Sequence, residues 1–153
     1  MNGEITVRPP SNEQELLDAL ALRQEIFIVE EGRARFVDAD EFDPICDHIV
    51  AMIGGEVVGT LRLYLLHPGD RAAKIGRVAV RKDLRGLGIG SKMMAAAHEF
   101  AATKYEGVYL HAQIGVVDFY KKLGYVTEGD VFVEAGTPHV LMRLLQKEFL
   151  QPA

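Results

Sequence analysis

The chain has one cysteine, no long hydrophobic run, no excess of basic residues and no low-complexity linker. Each shortage excludes something. A lone Cys46 cannot close an internal disulfide, so the fold must rest on its core, and a reducing, cytoplasmic setting is expected. No apolar stretch approaches the roughly 20 residues of a membrane helix. Met1 leads directly into polar Asn-Gly-Glu, so neither a membrane span nor an export signal is read. A net charge of −5 offers no electrostatic footprint for nucleic acid. What is present suits one globular domain over residues 1–153 with a sizeable core: 48% of residues are hydrophobic and 25% charged.

Along the chain, residues 4–8 alternate as a short strand. Ser11-x-x-Gln14 reads as a capping box opening a helix with Leu16, Leu20 and Phe27 near one face. From Glu30 to Asp47 the pattern dissolves into an acidic stretch with Pro44, expected as loop or broken helix. Residues 48–53 and 56–66 flank Gly54-Gly55, a hairpin signal. A strand over 73–80, a helix to about Thr103 and a strand over Gly107–Ala112 follow. A short helix from Val116 to Leu123 is closed by Gly124. Two last strands, 125–134 and 138–145, meet around Ala135-Gly136-Thr137. The order β-α-β-β-β-α-β-α-β-β predicts an α+β fold of mixed layers.

The richest segment is Gly76 to Lys92. An apolar strand ends in a charged loop, then Gly86, Gly88 and Gly90 precede a helix beginning near Met93 and Met94. Glycines at such a turn let backbone approach a ligand closely, and the N–H groups opening the helix favour phosphate oxygens. Two phosphate-loop patterns fail. No Gly-Lys-Ser/Thr triplet exists for a P-loop. A G-x-G-x-x-G dinucleotide fingerprint would need glycine where Ser91 or Met93 stands.

Arg85-Gly86-Leu87-Gly88-Ile89-Gly90 matches [Q/R]-x-x-G-x-[G/A], and with it the chain resembles the GCN5-related N-acetyltransferase (GNAT) superfamily. A second motif, Gln113-x-x-Val116-x-x-Phe119-Tyr120-x-x-Leu123-Gly124-Tyr125, follows in the right order and spacing. The resemblance is nearer to the ElaA-like branch through Leu22-Arg23-x-x-Ile26-Phe27-x-x-Glu30, the acidic segment ending in His48, Gly59-Thr60-Leu61-Arg62 and Glu134-Ala135-Gly136-Thr137-Pro138-His139. It implies a central, mostly antiparallel sheet with splayed strands flanked by helices.

The resemblance also implies an acyl-CoA-dependent N-acyltransferase, with acetyl-CoA as cosubstrate and a primary amine of a small molecule or peptide as acceptor. No metal is called for. Pantetheine would pair with the strand edge at Val78, Ala79 and Val80, as in strand addition. The backbone from Gly86 through Ser91 (Leu87, Gly88, Ile89 and Gly90 between) would take the pyrophosphate, with charge from Arg85 or Lys92. Gln113 and Phe119 fall on the cofactor side of the second motif. Tyr120 matches the acid that assists the departing thiolate. Many relatives carry a glutamate base where this chain has Gly76, so the base is sought among Glu30, Glu31, His48 and His139, with His139 and Glu30 ranked first. The alternative is an acyl-CoA-binding sensor with little turnover; an acyl-homoserine lactone synthase-like activity shares the fold but needs a different donor loop. Family members are often dimers, which implies a homodimer through strands 125–145.

The remaining polar residues have plainer readings. His98 in a helix and His67 beside Pro68 are expected to be solvated, and Asp38, Asp40, Glu41, Asp43 and Asp47 are expected as a solvated acidic loop, the alternative being that these carboxylates attract a cationic amine. An EF-hand is rejected, because Asp43 falls where its glycine belongs. Cys46-x-His48 with His111 and His139 matches no zinc spacing.

Overall fold

The computed structural model describes residues 3–32, 40 and 42–145. Strands β1 (Thr6–Arg8), β2 (Asp47–Ile53), β3 (Glu56–Tyr64), β4 (Ala72–Val80), β5 (Gly107–Gln113), β6 (Val126–Glu134) and β7 (Thr137–Leu145) alternate with helices α1 (Glu13–Gln24), α2 (Ile89–Ala102) and α3 (Val117–Lys122). Hydrogen bonds order the strands β1-β2-β3-β4-β5-β7-β6 in one mixed sheet of seven. This is the expected α+β fold in the expected element order. No helix among the described residues is long and apolar enough to cross a membrane.

Contacts group the chain into two compact units, Met1–Tyr64 with Arg77–Ala97, and Leu65–Gly76 with His98–Ala153. In the first, β1, β2 and β3 pair antiparallel, and the β2–β3 hairpin turns at Gly54 and Gly55, φ 57° and 82°. Two successive positive φ values make the tight turn whose twist matches the strands. Helix α1 lays Ala19 on Val50 and Met52, while Leu22, with Ile26 and Phe27 just beyond it, closes over Ala79 and Val57. Gly59 on β3 permits a close approach. A Cβ there would lie 2.7 Å from Met93 Sδ and 3.3 Å from the Ala79 carbonyl oxygen.

Two sequence expectations change here. The N-cap of α1 is Asn12 rather than Ser11: Asn12 Oδ1 accepts from the Glu15 amide at 2.9 Å, and Glu15 Oε1 accepts from the Ser11 amide at 2.8 Å. The cap thus sits one residue later, with Glu15 reaching back to the amide before the N-cap and also held by Arg8 at 2.7 Å. The second change concerns the acidic stretch. Asp38 and Glu41 lie outside the described residues, but Asp40 and Asp43 are partly buried ion-pair partners. Arg23 reaches Asp43 at 2.8 Å, and Arg62 reaches Asp40 at 2.6 Å and Asp43 at 2.9 Å. Both arginines are almost fully buried, so their charge needs these carboxylates inside the fold.

In the second unit, the start of β4 runs parallel to β5 from Ala72↔Gly107 to Ile75↔Leu110. Both strands continue past that last pair. Beyond it, Arg77 carries a left-handed φ of 53°. Strand β5 pairs with β7 from Gly107↔Leu145 to Gln113↔His139, and β7 with β6 through a turn at Ala135 and Gly136, φ 50° and 80°. Val108, Leu110, Ala112, Val140, Met142 and Leu144 fill the buried face of β5 and β7. His98 is a correction to the solvated expectation. It is buried, with Nε2 2.6 Å from the Tyr125 hydroxyl, and burial pushes its pKa down to about 4.

Candidate active site

The donor loop is built by the way β4 ends. Val80 closes the strand, the Arg81 amide bonds the Val58 carbonyl at 2.8 Å, and a 3-10 turn over Lys82–Leu84 buries Leu84. The chain then turns through Gly86 (φ 82°) and Gly88 (φ 83°), where a Cβ would meet open space. Their conformation, not crowding, demands glycine. Leu87 between them is exposed, and Ile89 is buried at the start of α2. Helix α2 has no acidic residue in its first turn, and Gly88 before it has no side chain to cap the amides. The helix start therefore presents N–H groups and positive dipole to any anion brought there.

Arg85 is placed differently from expectation. Its Nε donates to the Val80 carbonyl at 2.9 Å, and its two terminal nitrogens donate to Glu30 at 2.6 and 3.1 Å. Glu30 ends a π turn, Glu25–Glu30, that continues α1. This bidentate pair joins two residues to which the sequence assigns separate roles. In the structure the Arg85 guanidinium is turned to Glu30 and to the strand end. The Glu30 carboxylate is held below its ordinary range by that guanidinium, which makes it a poor proton acceptor. Glu30 straps the loop; the amides from Gly86 to Ser91 are what the loop offers a ligand. Beside the strap opens a cleft of about 730 Å³ lined by Leu22, Glu25, Ile26, Glu30, Arg81, Lys82 and Asp83.

Val78, Ala79 and Val80 fall on β4 past its last pair with β5, with Ala79 buried against Leu22 and Phe27. His48 is buried with Nε2 3.1 Å from the Asp43 carbonyl. Asp43, Cys46 and His48 lie close enough for a metal. However, the Asp43 carboxylate is taken by two guanidinium groups, and burial pushes the Cys46 thiol up to about 11. Those are poor ligands.

The second unit gathers the other predicted residues. Tyr120 on α3 is buried, its ring edge-on to Phe119 at 5.0 Å and Tyr125 at 5.7 Å. Burial pushes its pKa up to about 12, so its hydroxyl keeps its proton as a hydrogen-bond donor. Gln113 and His139 are register partners on β5 and β7. The His139 ring is buried, with Nδ1 2.8 Å from the Thr137 carbonyl. A carbonyl only accepts, so Nδ1 carries a proton, and in the neutral ring Nε2 holds the lone pair.

Glu134 and His111 are the residues whose part was missed. His111 Nδ1 donates to Glu134 Oε1 at 3.0 Å, and Glu134 Oε2 lies 3.8 Å from His139 Nε2. The hydrogen bond from His111 is the main reason the Glu134 carboxyl is held down to about 2. Phe132 stands edge-on to His111 at 4.9 Å and stacked near His139 at 6.1 Å. The signal was the two-residue turn. It makes Phe132 oppose His139, which puts Glu134 on the same face as both histidines.

Comparison with known proteins identifies the family. Residues 21–146 match the model of the acetyltransferase (GNAT) domain family. YjcF of Bacillus subtilis, an uncharacterized N-acetyltransferase, is 36% identical over 133 residues, spanning 86% of this chain and 93% of that protein. Among solved structures, Escherichia coli ElaA superposes with a TM-score of 0.79 at 28% identity, covering 93% of this chain and 99% of ElaA. An acyl-CoA N-acyltransferase from Pseudomonas aeruginosa gives 0.79 at 29% identity, with 93% and 99% coverage. A glycine loop opening a helix, the second motif on α3 and these matches make one statement: the chain belongs to the GNAT acetyltransferase family and is an acyltransferase.

Proposed function

We propose that the protein transfers the acetyl group of acetyl-CoA to a primary amine by direct attack. The observation that carries this reading is the loop from Arg85 to Ser91, with two glycines at positive φ and a helix start that glycine precedes and no acidic residue occupies. Its amides suit a diphosphate. The β4 edge at Val78, Ala79 and Val80 suits the amides of pantetheine. A neutral amine attacks the thioester carbonyl, a backbone N–H near Val80 holds the oxyanion, and the C–S bond breaks. The departing thiolate is met by the Tyr120 hydroxyl.

The pKa of Tyr120, pushed up to about 12, defines that role. Full transfer of its proton to a thiolate whose acid has pKa near 8.5 is uphill by on the order of 5 kcal/mol. A hydrogen bond to the developing charge is what Tyr120 supplies; solvent protonates the thiolate afterwards. His139, with its lone pair on Nε2, receives the proton the amine must lose. Gln113 and Phe119 support His139 and Tyr120, one as register partner and the other by ring contact. A cytoplasmic setting and a homodimer belong to the same proposal. The dimer is supported by edge strand β6, which exposes Val126, Val131 and Val133.

Titration calorimetry with acetyl-CoA, then free-thiol release with a panel of primary amines, tests the reading. Binding followed by amine-dependent release is expected. Binding without release for any amine would favour an acyl-CoA sensor instead, and no binding at all would remove the donor site.

A further inference from the structure

The acceptor side carries a more specific reading, which rests on the amine-acetylation proposal above. Glu134 Oε2 and His139 Nε2 face one another at 3.8 Å. With Nδ1 donating to Thr137, Nε2 of the neutral ring is an acceptor, and so is the carboxylate. Glu134 Oε1 is already taken by His111, which fixes the carboxylate plane; among the described residues, Oε2 accepts no hydrogen bond. Two acceptors at this separation cannot bond to each other. A nitrogen about 2.9 Å from each closes the triangle with ordinary hydrogen-bond lengths.

We propose that this gap seats the ammonium group of the acceptor, with one N–H donated to Glu134 Oε2 and another to His139 Nε2. The second of these protons is the one to be lost. It moves to Nε2 while the N–H electron pair stays on the amine nitrogen as the attacking lone pair. The imidazolium formed keeps Nδ1–H on Thr137 and turns Nε2–H toward the Glu134 carboxylate. Phe132, stacked near His139, gives the first carbons of the acceptor an apolar wall. Lys74 is among the charges felt by Glu134. The class of substrate follows. The site takes an alkylammonium and disfavours an α-amino acid, whose own carboxylate would be drawn toward Glu134. Glu134 acts by holding and orienting; His139 is the group that touches the reacting nitrogen.

The probe is isoamylammonium, with isoamyl alcohol as its neutral counterpart and leucine as its carboxylated one. Imidazole NMR of the full chain should show His139 shifting saturably with isoamylammonium and with neither control. Glu134→Gln should weaken that response about tenfold or more, the scale of one charge-assisted hydrogen bond, and Glu134→Asp should restore part of it. KM for the amine should rise in Glu134→Gln while KM for acetyl-CoA stays unchanged. An equal response to the alcohol, an unchanged response in Glu134→Gln, or none in the wild type would overturn the proposal. Calorimetry with acetyl-CoA on the same samples separates the readings. Retained acetyl-CoA binding with no amine response sinks the ammonium seat alone, whereas lost binding sinks the donor site.

Discussion

Tyr120 and Glu30 show how a residue's surroundings decide what it can do. Tyr120 lies against Phe119 and Tyr125, and its hydroxyl stays protonated well above neutral pH. Tyr120→Phe is expected to lower kcat by about 10²-fold, the low end of acid catalysis, with the calorimetric Kd for acetyl-CoA unchanged. A variant with wild-type kcat would take Tyr120 out of the mechanism. Glu30 is bound to Arg85 and held in its charged form. If it straps the loop, Glu30→Gln should leave kcat within about threefold, against the ~10²–10⁴-fold loss expected of a general base; the pH–rate profile should keep its acidic limb.

Asp43 carries a stability argument at the same scale. Burial alone would raise its pKa, but hydrogen bonds and charge from Arg23 outweigh that and leave it at about 2. The folded state therefore holds this proton less readily than the unfolded chain. Its contribution is complete above about pH 4 and is lost as pH falls toward 2, on the order of 2 kcal/mol. Urea unfolding of the wild type across that window should lose stability, and Asp43→Asn should flatten this part of the profile. At neutral pH the same variant should cost about 3–5 kcal/mol, because Arg23 and Arg62 lose a shared partner inside the fold.

At the scale of elements, the donor loop depends on how α2 meets the strands beneath it. Gly59 is the contact point, with Met93 Sδ and the Ala79 carbonyl where a methyl would go. The thioether can swing aside, but the carbonyl belongs to β4 and cannot. Gly59→Ala should destabilise by about 1–3 kcal/mol through overpacking, read as a fall of several degrees in Tm. The π turn has a matching purpose. Its Glu31 amide bonds the Ile26 carbonyl at 2.9 Å, the five-residue spacing that widens a helix. Glu30, the last residue of that turn, holds Arg85.

For the whole molecule, a ligand that binds only the folded chain must stabilise it. Acetyl-CoA at 100 times its Kd should contribute about 2.7 kcal/mol, roughly 5–10 °C in Tm for a chain of this size. Gly88→Val should abolish this shift, since Gly88 holds φ 83°, where a β-branched side chain would strain the turn. An undiminished shift would move the diphosphate elsewhere. One family model runs from residue 21 to 146, through both compact units.

Local chemistry announced itself in the sequence. The Gly54-Gly55 hairpin, the glycine loop, Gly124 closing α3 and the order of all ten elements follow from short-range rules of backbone conformation and hydrophobic period. The donor loop was legible for that reason: an amide cradle is made by consecutive residues. Pairings between distant residues were not. Arg23 with Asp43, Arg85 with Glu30, His98 with Tyr125, and His111 with Glu134 and His139 are brought together by strand register and helix packing. Sequence alone thus determined the fold class, the family and the glycine turn that opens α2. Tertiary structure decided which charges are committed and which remain available, because a side chain's hydrogen-bond partner and its distance from water are set by neighbours tens of residues away.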